Sequence, residues 1–181
     1  MARIPLPTRE TLPPALQDRW DRTAARGPVL NIQRAFFANP AIRLDALGAW
    51  RASGLEPRAR ELVILRCAYR NESRYEWHQH VRIARDVGLS DADIDAVRNW
   101  QQSNEFSEVE RALLAWVDAL ADSQKPSDAQ FATFAQGRSE EAIVGITYLV
   151  TLYFQLAQFM AALDLETEKP FVGWEVGSSA S

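Results

Sequence analysis

The sequence predicts an all-α fold, and three observations support this prediction. No stretch alternates between apolar and polar residues with the period of two that a half-buried strand requires. Serines at positions 90, 107 and 127 are each followed three residues later by an acidic or amide residue, the spacing of a helix capping box. Residues 142–163 contain no charged side chain, which is typical of a long buried helix.

Start and stop signals divide the chain into about eight to nine helices. Gly54 and Gly88 end two of them, because glycine adopts the left-handed conformation that closes a helix without steric cost. Pro57 begins another, because a backbone N–H at the first helical position has no partner within the helix, so proline loses nothing by lacking one. Ser139 begins the last one, with two glutamates in its first turn. The predicted helices cover residues 14–25, 31–38, 41–52, 57–69, 73–88, 91–101, 108–122, 128–136 and 140–164.

Length, charge and cysteine content limit the function classes. The 181 residues, 47% of them hydrophobic, suit one domain, made of an arm with the first helix (1–28), the main helical part (29–165) and a polar tail (166–181). A net charge of −4 argues against nucleic acid and anionic membranes as partners. The single cysteine, Cys67, excludes an internal disulfide and a two-cysteine redox pair. The amino terminus lacks the apolar core of a signal peptide, so we expect a cytoplasmic protein.

The charge-free stretch 142–163 is long enough to cross a bilayer, but its polar residues favour a buried helix. Thr147, Thr151, Gln155 and Gln158 recur at helical spacing and form one stripe. We therefore expect no membrane partner, and a helix at the centre of the fold that partner subunits help to cover.

A carboxylate and an imidazole lie on the apolar face of the predicted helix 73–88. On a helical wheel, Glu76 and His80 fall one turn apart within the arc that holds Trp77 and other apolar residues. Glu61 shares the apolar side of the preceding helix. Burying such groups without partners is unfavourable, so we expect them to bond to one another or to a third group.

Three interpretations of this polar group remain open from the residues alone. Two carboxylates beside a histidine in an apolar site acquire separated pKa values, which would make Glu61, Glu76 and His80 an acid–base set. The same residues could instead form a structural hydrogen-bond network between two helices. They could also bind a metal ion, although with only two histidines in the chain we expect neither a metal site nor a cofactor.

Nearby residues have less specific interpretations. Arg66 and Arg70 are four positions apart and could together bind a substrate carboxylate, or bridge to acids on a neighbouring helix. Cys67 is expected to be a small core residue rather than a nucleophile. His78 is expected on the solvent side of its helix or at an interface.

The segment ELVILRCAYRNESRYEWHQHVRIARDVGL resembles the carboxymuconolactone decarboxylase family, which also contains the alkylhydroperoxidase proteins of the AhpD type. In the peroxidase branch a glutamate precedes a Cys-x-x-Cys pair by twelve residues, and a histidine follows the second cysteine by four. Here that spacing falls on Glu61, Ser73, Glu76 and His80, with Tyr75 between the two cysteine positions. Both thiols are absent, and a serine with a carboxylate cannot perform disulfide chemistry.

The resemblance implies an AhpD-like helical domain that assembles as a homotrimer or homohexamer. It also implies a cofactor-free decarboxylase or related lyase acting on a small lactone or carboxylate from aromatic-compound catabolism. In such a reaction His80 would protonate the carbon that loses carbon dioxide, while Glu61 or Glu76 sets the protonation state of His80. A small-molecule-binding or scaffold protein without turnover is the alternative, and a peroxidase is disfavoured. The residues expected to contact the substrate are Tyr75, Ser73, Arg66 and Arg70.

Overall fold

The computed structural model describes residues 2–42 and 45–177, and all regular structure within these ranges is helical. No strand occurs among the described residues, which confirms the predicted all-α class. Two 3-10 helices, Arg9–Thr11 and Val97–Gln102, accompany the α-helices. The α-helices are α1 Pro14–Ala24, α2 Asn31–Ala38, α3 Ala46–Ser53, α4 Pro57–Arg70, α5 Arg74–Asp86, α6 Asp91–Ala96, α7 Glu108–Asp122, α8 Asp128–Ala135 and α9 Glu140–Ala162.

Capping residues begin and end the helices largely where the sequence predicts. The serine-led boxes at the starts of α6, α7 and α8 are all formed, each with the serine side chain accepting a backbone amide hydrogen three residues later. Ser139 caps α9 in the same way. Gly54 and Gly88 follow α3 and α5 with positive φ angles of 62° and 93°, as expected for residues that close a helix.

Two predicted helices have the wrong boundaries. The third begins at Ala46 rather than at 41, because the Asp45 side chain accepts a hydrogen bond from Gly48 N at 2.7 Å and caps the helix there. Residues 43 and 44 of the predicted span lie outside the described residues. The predicted helix 91–101 changes to 3-10 structure after α6. The Arg66 side chain donates hydrogen bonds to the Val97 and Arg98 carbonyl oxygens. These bonds compete with the backbone hydrogen bonds that would extend the α-helix.

The most enclosed helix is α4, not α9. From Glu61 to Ala68 every residue of α4 is buried, and the helix packs against α5, α7 and α9. In contrast, α9 leaves Val144 and Tyr148 exposed, at 68% and 52% of their surface. By length and composition α9 is the one described helix that could cross a membrane, but half of its most apolar stretch is buried within the domain. In the single chain one face of α9 lies in the core, as predicted, and the covering of its other face by partner subunits stays a prediction.

Close packing of α3 on α9 brings two distant aromatic residues together. A Cβ atom at Gly145 would lie 1.8 Å from the Ala52 carbonyl oxygen, so only glycine permits this approach of the two backbones. Trp50 lies two residues before Ala52, Tyr153 lies about two turns after Gly145, and Trp50 Nε1 donates a hydrogen bond to the Tyr153 hydroxyl at 2.8 Å. This contact forms one wall of the cavity described below.

The tail after α9 packs on its own chain along α5. Trp77 Nε1 donates to the Gly173 carbonyl at 2.9 Å, and the Val172 amide donates to His78 Nδ1 at 3.1 Å. The Trp174 ring lies 5.5 Å from the Trp77 ring, centroid to centroid. His78 therefore faces the tail, on the side of α5 away from His80.

Candidate active site

Residues of α2, α3, α5 and α9, together with Leu30, line a half-open cavity of about 260 Å³. This volume is slightly below the range of pockets for drug-sized ligands, so the cavity suits a small molecule. Its apolar lining consists of Leu30, Ile32, Ala46, Trp50, Ile83, Tyr153, Leu156 and Met160. Its polar lining consists of Gln33, Tyr75, Glu76, Gln79, His80 and Arg82.

The Glu61 carboxylate holds the His80 ring at the wall of this cavity. Glu61 Oε2 lies 2.7 Å from His80 Nδ1, and Oε1 accepts a hydrogen bond from Arg60 Nε at 2.9 Å. Glu61 is fully buried, and the guanidinium of Arg60 stacks 4.3 Å above the Trp50 ring. Both carboxylate oxygens of Glu61 are thus engaged, one by the Arg60 cation and one by the imidazole. A charged Glu61 accepts the Nδ1 proton and leaves His80 Nε2 as the other reactive nitrogen.

The second nitrogen of His80 is available to a ligand. Among the described residues none hydrogen-bonds to Nε2, whereas the ring itself packs edge-on against Tyr153 with the centroids 5.2 Å apart. Packing on one side and the Glu61 bond on the other restrict the rotation of the imidazole. The arrangement can therefore transfer a proton between Nε2 and an atom in the cavity.

Glu76 is the least satisfied polar side chain of the site. It is buried, neither of its carboxyl oxygens makes a hydrogen bond of normal length among the described residues, and the Ser73 hydroxyl at the start of the helix interacts with it only weakly. Burial in these surroundings raises the pKa of the Glu76 carboxyl well above its ordinary value. A buried carboxyl in this state is a neutral hydrogen-bond donor at the pH where ordinary carboxyls are charged.

Tyr75 and Ser73 are held by neighbouring backbone and side chains. The Tyr75 hydroxyl lines the cavity, accepts a hydrogen bond from the Ile32 amide at 3.2 Å and donates to Glu168 of the tail at 2.5 Å. Burial raises the pKa of Tyr75, so it remains a neutral phenol. The Ser73 hydroxyl caps α5 by accepting from the Glu76 amide at 3.4 Å, and it does not line the cavity.

Arg66 and Arg70 are not brought to the cavity. Arg66 lies five positions after Glu61, which turns it roughly 140° around α4. Its guanidinium pairs with both oxygens of Asp118 on α7, at 2.7 and 2.8 Å. Arg70 also donates to Asp118, at 2.8 Å, and to Asp122. Both arginines thus bridge to acids on a neighbouring helix, and the guanidinium that does line the cavity belongs to Arg82.

The sequence pattern does not identify four residues that shape the site. Trp50 and Tyr153 are 103 positions apart, and no local spacing connects them. Arg60 adjoins Glu61, but its position next to a buried acid is visible only once α4 is packed. Arg82 falls on the polar side of the helical wheel and lines the cavity from its edge, with most of its side chain in solvent.

Neither a metal site nor a reactive thiol is formed by the described residues. They contain no group of three or more His, Cys, Asp or Glu side chains placed to hold one ion. Both oxygens of Glu61 are already bonded to Arg60 and His80. Cys67 is completely buried in the core, as predicted, and burial raises the pKa of its thiol.

Comparison with known proteins agrees with the motif. The profile of the carboxymuconolactone decarboxylase family matches residues 37–119, which include Trp50, Glu61, Glu76 and His80. A protein of unknown function from Agrobacterium tumefaciens, described as a candidate antioxidant defence protein AhpD, is 30% identical. The match covers 75% of this chain and 91% of that protein, with a TM-score of 0.65. No curated protein matches the sequence.

Two further solved structures share the fold at lower identity. The debrominase Bmp8 in complex with 2,3,4-tribromopyrrole is 19% identical, with coverage of 93% of this chain and 94% of its own and a TM-score of 0.75. A peroxidase-related protein from Ralstonia eutropha JMP134, with an alkylhydroperoxidase AhpD core, is 18% identical, with 97% coverage of both chains and a TM-score of 0.78. These likenesses confirm the AhpD-like helical fold.

Proposed function

The chain belongs to the carboxymuconolactone decarboxylase family, and on that basis we propose that it is a cofactor-free decarboxylase or related lyase. Its substrate is a small lactone or carboxylate of the kind met in aromatic-compound catabolism. The observation that carries this proposal is the buried Glu61–His80 pair at the wall of a small, mainly apolar cavity. Such a pair supplies proton transfer without a thiol or a metal.

The proposed reaction uses His80 as the proton donor to carbon. The bond between a ring carbon and its carboxylate breaks, carbon dioxide leaves, and the electron pair moves into the adjacent carbonyl group to form an enolate. Protonated His80 then transfers the Nε2 proton to that carbon, and solvent returns one proton to the imidazole. Glu61 stabilises the imidazolium through the 2.7 Å contact with Nδ1, and Glu76 lines the cavity beside them without giving up its proton.

We assign the substrate carboxylate to Arg82 rather than to Arg66 or Arg70. Arg82 lines the cavity, and its pairing with Asp86 is a solvent-exposed contact of 3.4 Å that contributes little energy. Arg66 and Arg70 are instead neutralised by Asp118. An arginine at the edge of the cavity can hold a carboxylate without the cost of burying an additional charge.

The proposal is tested with an α-carboxy-γ-lactone in D₂O. We expect release of carbon dioxide with one deuterium at the former carboxyl-bearing carbon, because His80 exchanges its proton with solvent. Cys67→Ala should change the rate by less than about threefold, since the thiol is buried outside the cavity. Carbon dioxide release is measured by mass spectrometry. Reduction of a hydroperoxide that depends on Cys67, without decarboxylation, would overturn the proposal.

Binding without turnover is the second candidate, and the close packing of the site favours it. Glu61, His80 and Tyr153 connect three helices, as a structural network would. The Bmp8 debrominase was solved with a single halogenated pyrrole ring, a ligand of the size that this cavity admits. Ligand binding with no carbon dioxide release in the same assay would select this alternative.

We also propose that the chain works as a homotrimer or homohexamer in the cytoplasm. Val144 and Tyr148 lie one turn apart on α9 and are mostly exposed, so the single chain leaves an apolar strip that self-association would bury. Sedimentation at micromolar concentration is expected to give three or six times the chain mass of 20.4 kDa. Tyr148→Lys should lower that mass by placing a charge in the contact. A wild-type monomer would contradict the proposal.

A further inference from the structure

The cavity contains a second hydrogen-bond donor besides Glu76. The Tyr153 hydroxyl accepts the Trp50 indole hydrogen at 2.8 Å, and no described residue accepts its own proton. Tyr153 is buried and lines the same cavity as Glu76 and His80. Burial, as the largest cause, raises the pKa of Tyr153, so the phenol stays protonated. Its proton is therefore directed by the Trp50 contact and free for a ligand.

Glu76 presents the complementary feature on α5. Its carboxyl has no partner among the described residues, although buried polar groups in folded proteins are almost always hydrogen-bonded. Because Glu76 lines the cavity, a ligand there would supply the full hydrogen bond that the carboxyl lacks. Glu76 and His80 are one helical turn apart, and the His80 ring is perpendicular to that of Tyr153 at 5.2 Å. Three groups from two helices thus surround one small volume.

The charges around this volume select a neutral ligand group. Glu61 contributes a buried negative charge on the far side of His80, and the Arg60 cation is already paired with it. Arg82, the one guanidinium lining the cavity among the described residues, lies at the edge. An anionic group beside Glu76, Tyr153 and His80 would be desolvated without a counter-ion, which is unfavourable. A carbonyl oxygen has two lone pairs and no charge, and it can accept from both donors.

We propose that Glu76 and Tyr153 together bind the carbonyl oxygen of a lactone or ketone and form an oxyanion hole facing His80. This inference rests on the proposed function and deepens it, because it names the chemical class of the substrate. The cavity volume corresponds to about nine water molecules at roughly 30 Å³ each, so the ligand is a one-ring or small fused-ring carbonyl compound. The apolar wall of Trp50, Leu156 and Met160 packs against its ring.

Glu76 and Tyr153 would stabilise the negative charge that develops on the carbonyl oxygen during the reaction. When the carbon–carboxylate bond breaks, the electron pair moves onto the carbonyl oxygen, and the hydrogen bonds from Glu76 and Tyr153 strengthen as that oxygen becomes negative. The donors keep their protons, and the proton that reaches carbon comes from His80. A neutral carboxyl is required here because an ionised one could only accept. The geometry therefore separates the residue that moves a proton from the residues that stabilise charge.

The experiment measures ligand binding without turnover, by calorimetry with phthalide and with its ring-opened acid, 2-(hydroxymethyl)benzoate. Phthalide is a neutral lactone of the proposed size that has no carboxylate to lose. We expect phthalide to bind at least about tenfold more tightly than the acid. Tyr153→Phe and Glu76→Leu should each weaken phthalide binding about tenfold, the effect of one lost hydrogen bond in an apolar site. Glu76→Gln should stay within about threefold, because an amide still donates.

Tyr148→Phe is the matched control. Tyr148 is on the same helix but does not line the cavity, and phenylalanine keeps its ring in the proposed subunit contact, so this substitution should leave phthalide binding unchanged. Thermal unfolding of each variant shows whether it folds, and Tyr153→Phe preserves the ring that packs on His80. Equal affinity for lactone and acid, or unchanged phthalide binding in both Tyr153→Phe and Glu76→Leu, would overturn the oxyanion hole. Either result would leave the proposed proton transfer by Glu61 and His80 in place. Conversely, absence of turnover with phthalide binding as expected would count against the proposed decarboxylation and not against the oxyanion hole.

Discussion

Replacing His80 with asparagine is expected to lower the turnover number for decarboxylation about a thousandfold. Removal of a positioned proton-transfer group costs about 10² to 10⁴ in rate, and nothing else at the cavity duplicates a histidine held by a carboxylate. Asparagine keeps a donor that can bond to Glu61, so the fully buried carboxylate is not left without a partner. The measurement is carbon dioxide release from an α-carboxy-γ-lactone under saturating substrate.

The control for this substitution is His78→Asn, two positions earlier on the same helix. His78 accepts a hydrogen bond from the Val172 amide of the tail and does not line the cavity. We expect its loss to change turnover by less than about threefold, because only the tail contact is weakened. Undiminished turnover in His80→Asn would remove His80 from the proposed reaction, and an equal loss in both variants would indicate a structural effect on α5.

The second large effect is expected for Glu76→Leu, which should make the fold more stable. Glu76 has a buried carboxyl without a hydrogen-bond partner, and such a group destabilises the folded state by about 1–3 kcal/mol. Leucine has a similar volume and no polar atoms to satisfy. We therefore expect the free energy of unfolding to rise by about that amount at neutral pH, measured by urea denaturation, while decarboxylation is lost.

The gain in stability from Glu76→Leu should depend on pH in a defined direction. The folded-state pKa of Glu76 is raised above its ordinary value of 4.5, so above pH 4.5 the unfolded chain ionises this group while the folded protein keeps it protonated. The contribution of Glu76 to wild-type stability is therefore largest below pH 4.5 and declines as pH rises, by at most about 1.4 kcal/mol per pH unit. The variant lacks this dependence.

Unfolding curves at pH 5 and pH 7 test this directly. The difference in unfolding free energy between Glu76→Leu and the wild type should be larger at pH 7. Glu76→Gln is the control, because it removes the titration but keeps a buried polar group and should gain less stability. A variant less stable than the wild type at both pH values would mean that Glu76 is satisfied in the folded protein, and its role as a free donor would be wrong.

Much of the site follows from local sequence patterns. The period of 3.6 residues places Glu76 and His80 on the buried face of α5, and the family spacing connects them to Glu61. Serine caps and terminal glycines predict where most helices begin and end, because these interactions join residues within one turn. The end of α6 is the exception, since the side chain that binds its following carbonyls, Arg66, comes from a different helix.

The sequence by itself thus determined the helical class, the helix order and the identity of the buried polar residues Glu61, Glu76 and His80, because helical periodicity and capping are local. Only the tertiary structure decided which of them are paired. The close approach of α3 and α9 at Gly145 brings Trp50 and Tyr153 to the cavity, and no spacing rule connects residues 103 positions apart. Packing also pairs Glu61 with His80 and leaves Glu76 without a partner. Pairing depends on distances between helices, which long-range packing sets and local pattern does not encode.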